Sequence, residues 1–285
     1  MKNNLKTVAL LGGLGGLAVV IGGAIGGGGG ATIGFIIGLL MVGFSYWFSA
    51  KLALKAAGAQ LIEEHQAPQF YGMIRRLAER ANLPMPKVAI SPSMQPNAFA
   101  TGRGPRNAVV CATKGLLETM PADELEGVMA HELMHVKNRD ILTGSIAAAI
   151  ATGISYIAQM AMFSAMFGGR DDEDSPNPIA MIAIMILAPL AASLIQMAIS
   201  RSREYEADAD AARLIGSGDP LARALERIEA YASSRPMAIN PAQASAWIHN
   251  PLAEARSSQR GGPNMAKLFS THPPTEERIR RLRAM

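Results

Sequence analysis

Four long stretches of the sequence contain no Asp, Glu, Lys or Arg, and this feature constrains the fold more than any other. They form two pairs, residues 7–25 with 31–50 and residues 142–167 with 179–200. Each stretch approaches or exceeds the roughly 20 apolar residues that a helix needs to cross a lipid bilayer. The chain is therefore expected to combine transmembrane helices with a soluble part.

The first pair is separated only by five glycines, residues 26–30. Glycine permits the backbone conformations of a tight turn, so this pair is predicted to be a helical hairpin. The alternative for residues 7–25 is a secretory signal peptide. A second apolar segment follows at once, however, without a convincing small-residue cleavage site before a mature domain.

The second pair is joined by a short, acidic and turn-rich loop, residues 168–178. These two segments have a competing interpretation as a buried hairpin of a soluble protein. Gln159, Pro189 and Gln196 interrupt them, and a long apolar helix can also belong to a protein core.

Basic residues flank the apolar segments on one side of the predicted membrane. The loop after Phe167, in contrast, has four acidic residues and only Arg170 as a base. Lysine and arginine favour the cytoplasmic side, so both termini and the chain between the hairpins are expected there. The basic residues that set this orientation are Lys2, Lys6, Lys51, Lys55, Arg139, Arg201 and Arg203.

This orientation predicts three parts of the chain. Residues 1–50 form an N-terminal transmembrane hairpin, residues 51–140 and 201–285 form a cytoplasmic domain, and residues 141–200 form a second hairpin inserted into that domain. The net charge of +4 and the pI near 9.3 are explained by these topology charges, and nucleic acid is not expected as a partner.

The soluble part is predicted to be mainly α-helical with a small β-sheet. A three-to-four-residue apolar repeat indicates a helix over residues 70–81 that ends before Pro84. Short Val- and Ile-containing segments at residues 87–91, 98–101 and 108–112 indicate strands. Pro121 begins the next helix, and residues 219–231 and 275–282 indicate two further helices.

The helix after Pro121 carries the sequence H-E-L-M-H at residues 131–135. Residues four apart project from one side of a helix, so His131 and His135 can bind a single zinc ion through neutral ring nitrogens. Glu132 then lies beside the metal, where its carboxylate can act as a general base on water. Because Cys111 is the only cysteine, a cysteine-rich zinc site is excluded.

A catalytic zinc ion normally has three protein ligands. An extended motif with a third histidine is excluded, because positions 138 and 141 are Asn and Ile. Glu204, directly after the fourth apolar segment, is the predicted third ligand, and Asp208 one turn later is predicted to orient a ligating histidine. The alternative is a solvated acidic helix, and Glu206 lies off the ligand face.

The order of these motifs resembles that of the HtpX-type membrane zinc proteases, which are related to the CAAX prenyl endopeptidases. The resemblance spans the chain and includes N-A-F-A-T-G at residues 97–102, H-E-L-M-H, R-E-Y-E-A-D and S-T-H-P-P-T at residues 270–275. It implies a zincin-like α+β catalytic domain with one Zn²⁺ per chain, held by His131, His135 and Glu204, and catalysis by Glu132.

The resemblance also implies a location and substrates. These are the bacterial inner membrane and the cleavage of damaged or misfolded membrane proteins at its cytoplasmic face, as part of quality control and the stress response. It places Asn97 and Ala98 on an exposed strand that contacts substrate, although a core strand with Phe99 inward fits these residues equally well. His272 is a candidate for transition-state contact, and a structural role in its proline-rich turn is the alternative.

Two other classes of function remain as alternatives. A metal transporter is disfavoured because its ionisable residues should lie within the apolar segments, whereas the candidate ligands lie at or beyond the segment ends. A catalytically silent adaptor would tolerate loss of Glu132, yet the residue is present.

Overall fold

The computed structural model describes residues 2–141, 201–234 and 273–285. Its contacts divide the chain into two compact units, the first containing residues 2–47 and the second containing the remaining described residues from 48 onward. The predicted second apolar pair and His272 lie outside the described residues.

The described part of the first unit is most of α1, Lys2–Ala56, which reverses direction at its glycine run. Gly27 has a positive φ of 57°. Gly22 and Gly30 face each other so closely that a Cβ on Gly22 would lie 2.3 Å from the Gly30 carbonyl oxygen, a distance that only glycine allows. The chain therefore turns back on itself within the glycine run. Among the described residues, no helix meets the combined length and hydropathy of a membrane span.

The second unit contains a four-stranded mixed sheet in the order β1-β2-β4-β3. Three of these strands were predicted, and they are β2 Lys87–Ser91, β3 Ala98–Gly102 and β4 Ala108–Thr113. The short β1, Gln60–Ile62, was not predicted because three residues carry too little pattern. β2 and β4 are parallel, whereas β1 and β3 pair antiparallel with their neighbours.

The two faces of the sheet pack against different helices. Val88, Val110 and Ala98 belong to the main core, whereas Phe99 and Cys111 lie on the opposite face and pack against the C-terminal end of α1. Alternation of side chains along a strand explains this division. Both faces are covered, which accounts for the uniformly buried pattern of β4.

Helices complete the unit and confirm the mainly α class with a small sheet. They are α2 Pro68–Arg80, α3 Lys114–Thr119, α4 Ala122–Lys137, α5 at residues 201–215, α6 Asp219–Ser234 and α7 Thr275–Arg283. Two short 3-10 helices, Glu64–Gln66 and Pro105–Asn107, lie in the connections. The buried faces of α2, α4, α5, α6 and α7 share one core, with α4 at its centre.

Candidate metal centre

Helix α4 places His131 and Glu132 in the interior of the second unit, where they are 1% and 4% exposed. Its first turn contains Asp123 and Glu124, where acids interact favourably with the helix dipole. Glu124 is itself buried, and Arg227 of α6 donates to both of its oxygens over 2.7 and 3.0 Å. This ion pair helps to hold α4 against α6, so the motif sits on a fixed helix.

Helix α5 brings the second set of polar residues to α4. Glu204 and Asp208 lie one turn apart and are 5% and 2% exposed, and they alternate with the fully buried Ala207 and Ala211. The small alanine side chains allow the backbone of α5 to approach its neighbours closely. The same approach carries both carboxylates to the histidines of α4.

The three predicted ligands converge on one point. His131 Nε2 and His135 Nε2 are 3.1 Å apart, and their rings are nearly perpendicular, at 87°. Glu204 Oε1 lies 3.3 Å from His135 Nε2, and Glu204 Oε2 lies 3.6 Å from His131 Nε2. Among the described residues, these three form the group of side chains that could hold a metal ion.

The spacing of these ligand atoms fits zinc. Tetrahedral zinc with bonds of about 2.0 to 2.1 Å has ligand atoms separated by roughly 3.3 to 3.4 Å. The observed separations of 3.1, 3.3 and 3.6 Å bracket that value. Two imidazoles and one carboxylate are also the donor set that zinc prefers in catalytic sites.

Each histidine has a carboxylate behind it. Asp208 Oδ1 lies 2.9 Å from His131 Nδ1, and Asp140 Oδ2 lies 3.1 Å from His135 Nδ1. A carboxylate at Nδ1 fixes the tautomer that presents Nε2 as the lone-pair donor. Both rings are therefore oriented for metal binding.

Two buried arginines accompany these carboxylates. Arg278 of α7, 2% exposed, donates to Asp208 through Nε and Nη2 over 2.8 and 2.7 Å, and its Nη1 lies 3.4 Å from Glu204. Arg203 Nη1 lies 3.7 Å from Asp140 Oδ1. Burial alone would raise the pKa of the Asp208 carboxyl, but Arg278 lowers this pKa to about 2.

The carboxylates also act on the two histidines. Burial disfavours the charged imidazolium, but Glu204 and Asp140 together raise the pKa of His135 well above its usual value. Asp208 and Glu204 likewise overcome burial and raise the pKa of His131. The site therefore strongly favours additional positive charge.

A divalent cation neutralises the negative charge of this site better than protonation of the two histidines does. With neutral imidazoles, the four carboxylates around the site exceed the two guanidinium groups by two negative charges. Protonation of both histidines would restore neutrality but would set two N–H donors against each other across 3.1 Å. One divalent cation supplies the same charge without that conflict. The groups counted are Glu132, Asp140, Glu204, Asp208, Arg203 and Arg278.

Comparison with known proteins identifies the family. A model of Peptidase family M48 matches residues 64–285, which include the whole candidate site. The chain belongs to peptidase family M48. Proteins named Protease HtpX homolog from Burkholderia thailandensis, Burkholderia mallei and Burkholderia pseudomallei are each 52% identical over 289 residues, covering all of this chain and 98% of theirs. The resemblance inferred from the motifs is confirmed, and M48 membership makes the protein a metalloprotease.

A solved structure is also similar in fold. The crystal structure of S. mikatae Ste24p superposes with a TM-score of 0.54 and 19% identity, covering 99% of this chain and 65% of that one. At this level of identity the likeness concerns the fold.

The structure brings together most residues that the sequence singled out. Glu132 is buried beside His131. Burial lowers the pKa of His135, and the charge of Glu132 adds to the larger opposing effects of Glu204 and Asp140, which raise it. Glu206 is exposed, as expected for a residue off the ligand face. The predicted ligands of this M48 protein are thus adjacent in space.

The strand predicted to contact substrate lies at an edge of the sheet. Among the described residues, β3 has a strand partner on one side only. Asn97 accepts a hydrogen bond from the Thr113 N–H, so Ala98 and Ala100 direct their backbone groups away from β4. Phe99 nevertheless packs against the C-terminal end of α1 and is 3% exposed. The edge position and the inward Phe99 are therefore compatible.

Sequence reasoning missed three residues of this M48 site, namely Asp140, Arg203 and Arg278. Arg203 was interpreted as a topology charge. Arg278 did have a signal, because it lies one turn before the buried Leu282 and beside Ile279 on the apolar stripe of α7. An arginine on such a stripe indicates a buried charge with a partner. Asp140 follows the motif without a comparable pattern.

Proposed function

We propose that this M48 protein is a membrane-anchored zinc endopeptidase that cleaves damaged or misfolded membrane proteins at the cytoplasmic face. The observation that carries the proposal is the convergence of His131, His135 and Glu204 at zinc-like spacing. Buried histidines and carboxylates of this kind are costly to fold around unless a cation is bound. One zinc ion per chain is therefore the proposed cofactor.

Zinc bound by these three residues would polarise the scissile carbonyl and make a water molecule more acidic. Glu132, the residue after the first ligand, takes the proton from the attacking water and then delivers it to the departing amine. Asp208 and Asp140 hold the two imidazoles in the orientation that binding requires. The residues of the chain thus divide into ligands, a base and positioning groups.

A substrate strand is proposed to bind along the edge of β3 that faces away from β4. The outward backbone carbonyl of Ala98 and the backbone N–H and carbonyl of Ala100 can pair with an extended peptide, as in other strand-addition complexes. Asn97 is 1% exposed, and its Oδ1 already accepts from the Ala98 N–H over 2.8 Å. The Asn97 side chain therefore satisfies the Ala98 N–H at the start of this edge. Asn97 and His272 are proposed as further substrate contacts.

Membrane anchoring is supported by the surface of α1. Large apolar side chains such as Phe35, Leu39 and Leu40 are 60%, 62% and 67% exposed. An exposed apolar surface of this kind is typical of a region that contacts lipid or another protein. We propose that residues 1–50 and 141–200 form two membrane hairpins and that residues 51–140 and 201–285 form a cytoplasmic catalytic domain.

The experiment that tests the enzymatic proposal compares wild type with Glu132→Gln. Both proteins should bind one zinc ion per chain, and only wild type should cleave an unfolded protein substrate. Glu126→Gln is the matched control, because it removes a carboxylate from the same helix away from the ligands. Undiminished cleavage by Glu132→Gln would contradict the assigned base.

The remaining outcomes separate the other functional classes. If wild type and variant both bind zinc and neither cleaves, a metal-binding or adaptor function replaces the protease proposal. Membrane insertion is tested separately with a topology reporter fused after Asp174. An external signal would support the inserted hairpin, and an internal signal would contradict it.

A further inference from the structure

Asp140 and Arg203 stand at the two ends of the segment 142–200, close to the metal ligands. Asp140 comes two residues before this segment and Arg203 three residues after it. Their side chains form an ion pair with Nη1 and Oδ1 3.7 Å apart, and each is only 9% exposed. This ion pair therefore links a residue just before segment 142–200 to a residue just after it, and the link lies in the protein interior.

Asp140 also contacts His135, one of the proposed metal ligands. Its other oxygen, Oδ2, lies 3.1 Å from His135 Nδ1, while His135 Nε2 faces His131 and Glu204. One carboxylate thus contacts the ligand histidine and the arginine at the same time. Because Asp140 contacts the Nδ1 side of the His135 ring, the orientation of this ring depends on the position of the Asp140 carboxylate.

We infer that Asp140 and Arg203 are a positioning pair that couples the two ends of the inserted segment to the orientation of His135. Arg203 holds Asp140, and Asp140 holds the imidazole in the tautomer and direction required for metal binding. Separation of the two chain ends would pull Asp140 away from His135 and weaken the metal site. This inference rests on the proposed zinc site.

A second contact near the same place provides a control. Asn138 Nδ2 donates to Asp210 Oδ2 over 3.2 Å, and Asp210 also pairs with the exposed Arg213. This contact links the chain before and after the inserted segment without using the carboxylate behind His135. Loss of the Asp210 carboxylate should therefore leave metal affinity unchanged.

The experiment measures the zinc dissociation constant of the full-length protein by competition with a chelator. Asp140→Ala should weaken zinc binding about 10- to 100-fold, as expected for loss of the group that orients a ligating histidine. Asp140→Asn should lose less zinc affinity than Asp140→Ala, because the amide oxygen can still accept a hydrogen bond from the His135 Nδ1–H. Arg203→Gln should weaken zinc binding, and Arg203→Lys should weaken it less because the positive charge is kept. Asp210→Asn should bind zinc with the affinity of wild type.

A double variant tests whether the two residues act as one unit. If Arg203 acts through Asp140, Asp140→Ala with Arg203→Gln should lose no more affinity than Asp140→Ala alone. The visible spectrum of bound Co²⁺ should change in Asp140→Ala and stay unchanged in Asp210→Asn. This spectrum reports ligand geometry independently of activity.

The outcomes separate this inference from the proposed function. Absence of zinc binding by wild type would overturn the proposed function. If wild type binds zinc normally and Asp140→Ala shows the same zinc affinity and the same Co²⁺ spectrum as wild type, only the inference about the positioning pair is overturned. If Asp140→Ala does not fold, the same comparison is made with Asp140→Asn and Arg203→Gln, and wild-type affinity in both would overturn it.

Discussion

Arg278 in the last helix of the chain donates two hydrogen bonds to Asp208, through Nε over 2.8 Å and through Nη2 over 2.7 Å. Asp208 in turn lies 2.9 Å from His131 Nδ1. The C-terminal helix is therefore linked to a candidate metal ligand through one buried carboxylate.

Replacement of Arg278 by Met should destabilise the protein strongly. Loss of one partner from a buried ion pair leaves an uncompensated charge and costs about 3 to 5 kcal/mol. For a unit of this size that corresponds to a fall in melting temperature of roughly 6 to 20 °C. Thermal unfolding followed by circular dichroism checks this. Arg280→Met on the same helix is the control, because Arg280 is exposed; an equal effect of both changes would contradict the prediction.

Glu204→Gln should lose most zinc affinity, since a neutral amide replaces the carboxylate ligand. Glu206→Gln removes the same charge two residues away, where the side chain is exposed, and should retain zinc. Metal content after dialysis against a weak chelator distinguishes the two. Equal zinc retention by both variants would rule out Glu204 as the third ligand.

Removal of zinc by a strong chelator should lower the melting temperature of wild type. A ligand that binds only the folded state at 100 times its dissociation constant stabilises it by about 2.7 kcal/mol. Glu132→Gln should show the same decrease, because it retains the three ligands, whereas Glu204→Gln should show a much smaller one. A melting temperature of wild type that is insensitive to chelation would contradict metal binding at this site.

Gly127→Ala should destabilise the contact between α4 and α6. A Cβ at this position would lie 2.8 Å from the Leu221 backbone nitrogen and 3.0 Å from its Cα. Overpacking of this kind costs about 1 to 3 kcal/mol. Gly72→Ala in α2 is the control, because its Cβ would meet only the end of the Arg76 side chain at 3.7 Å. That change should be neutral or stabilising, since alanine favours helix over glycine.

Cys111 should not react with a thiol reagent in the folded protein. Its side chain is fully buried, and burial raises the pKa of the thiol to about 12. Labelling should therefore occur only after denaturation, which mass spectrometry can measure. Ser217→Cys in a Cys111→Ala background provides an exposed thiol for comparison. Equally fast labelling of the native Cys111 would contradict its place in the core.

Local patterns accounted for much of the fold. The strand β2 begins and ends as predicted, and β3 and β4 each extend by one residue beyond the prediction. The helix α2 ends at Arg80, close to the predicted end before Pro84. Alternating or helical apolar spacing is a property of neighbouring residues, so it can be detected without knowledge of the tertiary structure.

The ligand set was also accessible from the sequence, because two histidines four residues apart define one helix face and restrict the search for a third ligand. What surrounds those ligands was not accessible. Arg203 and Arg278 meet the carboxylates from separate parts of the chain, and Asp140, although near in sequence, lies beyond the end of α4, where helical spacing no longer predicts contacts. The electrostatic balance of the site depends on distances between such parts, and only the packing of α4, α5 and α7 sets those distances.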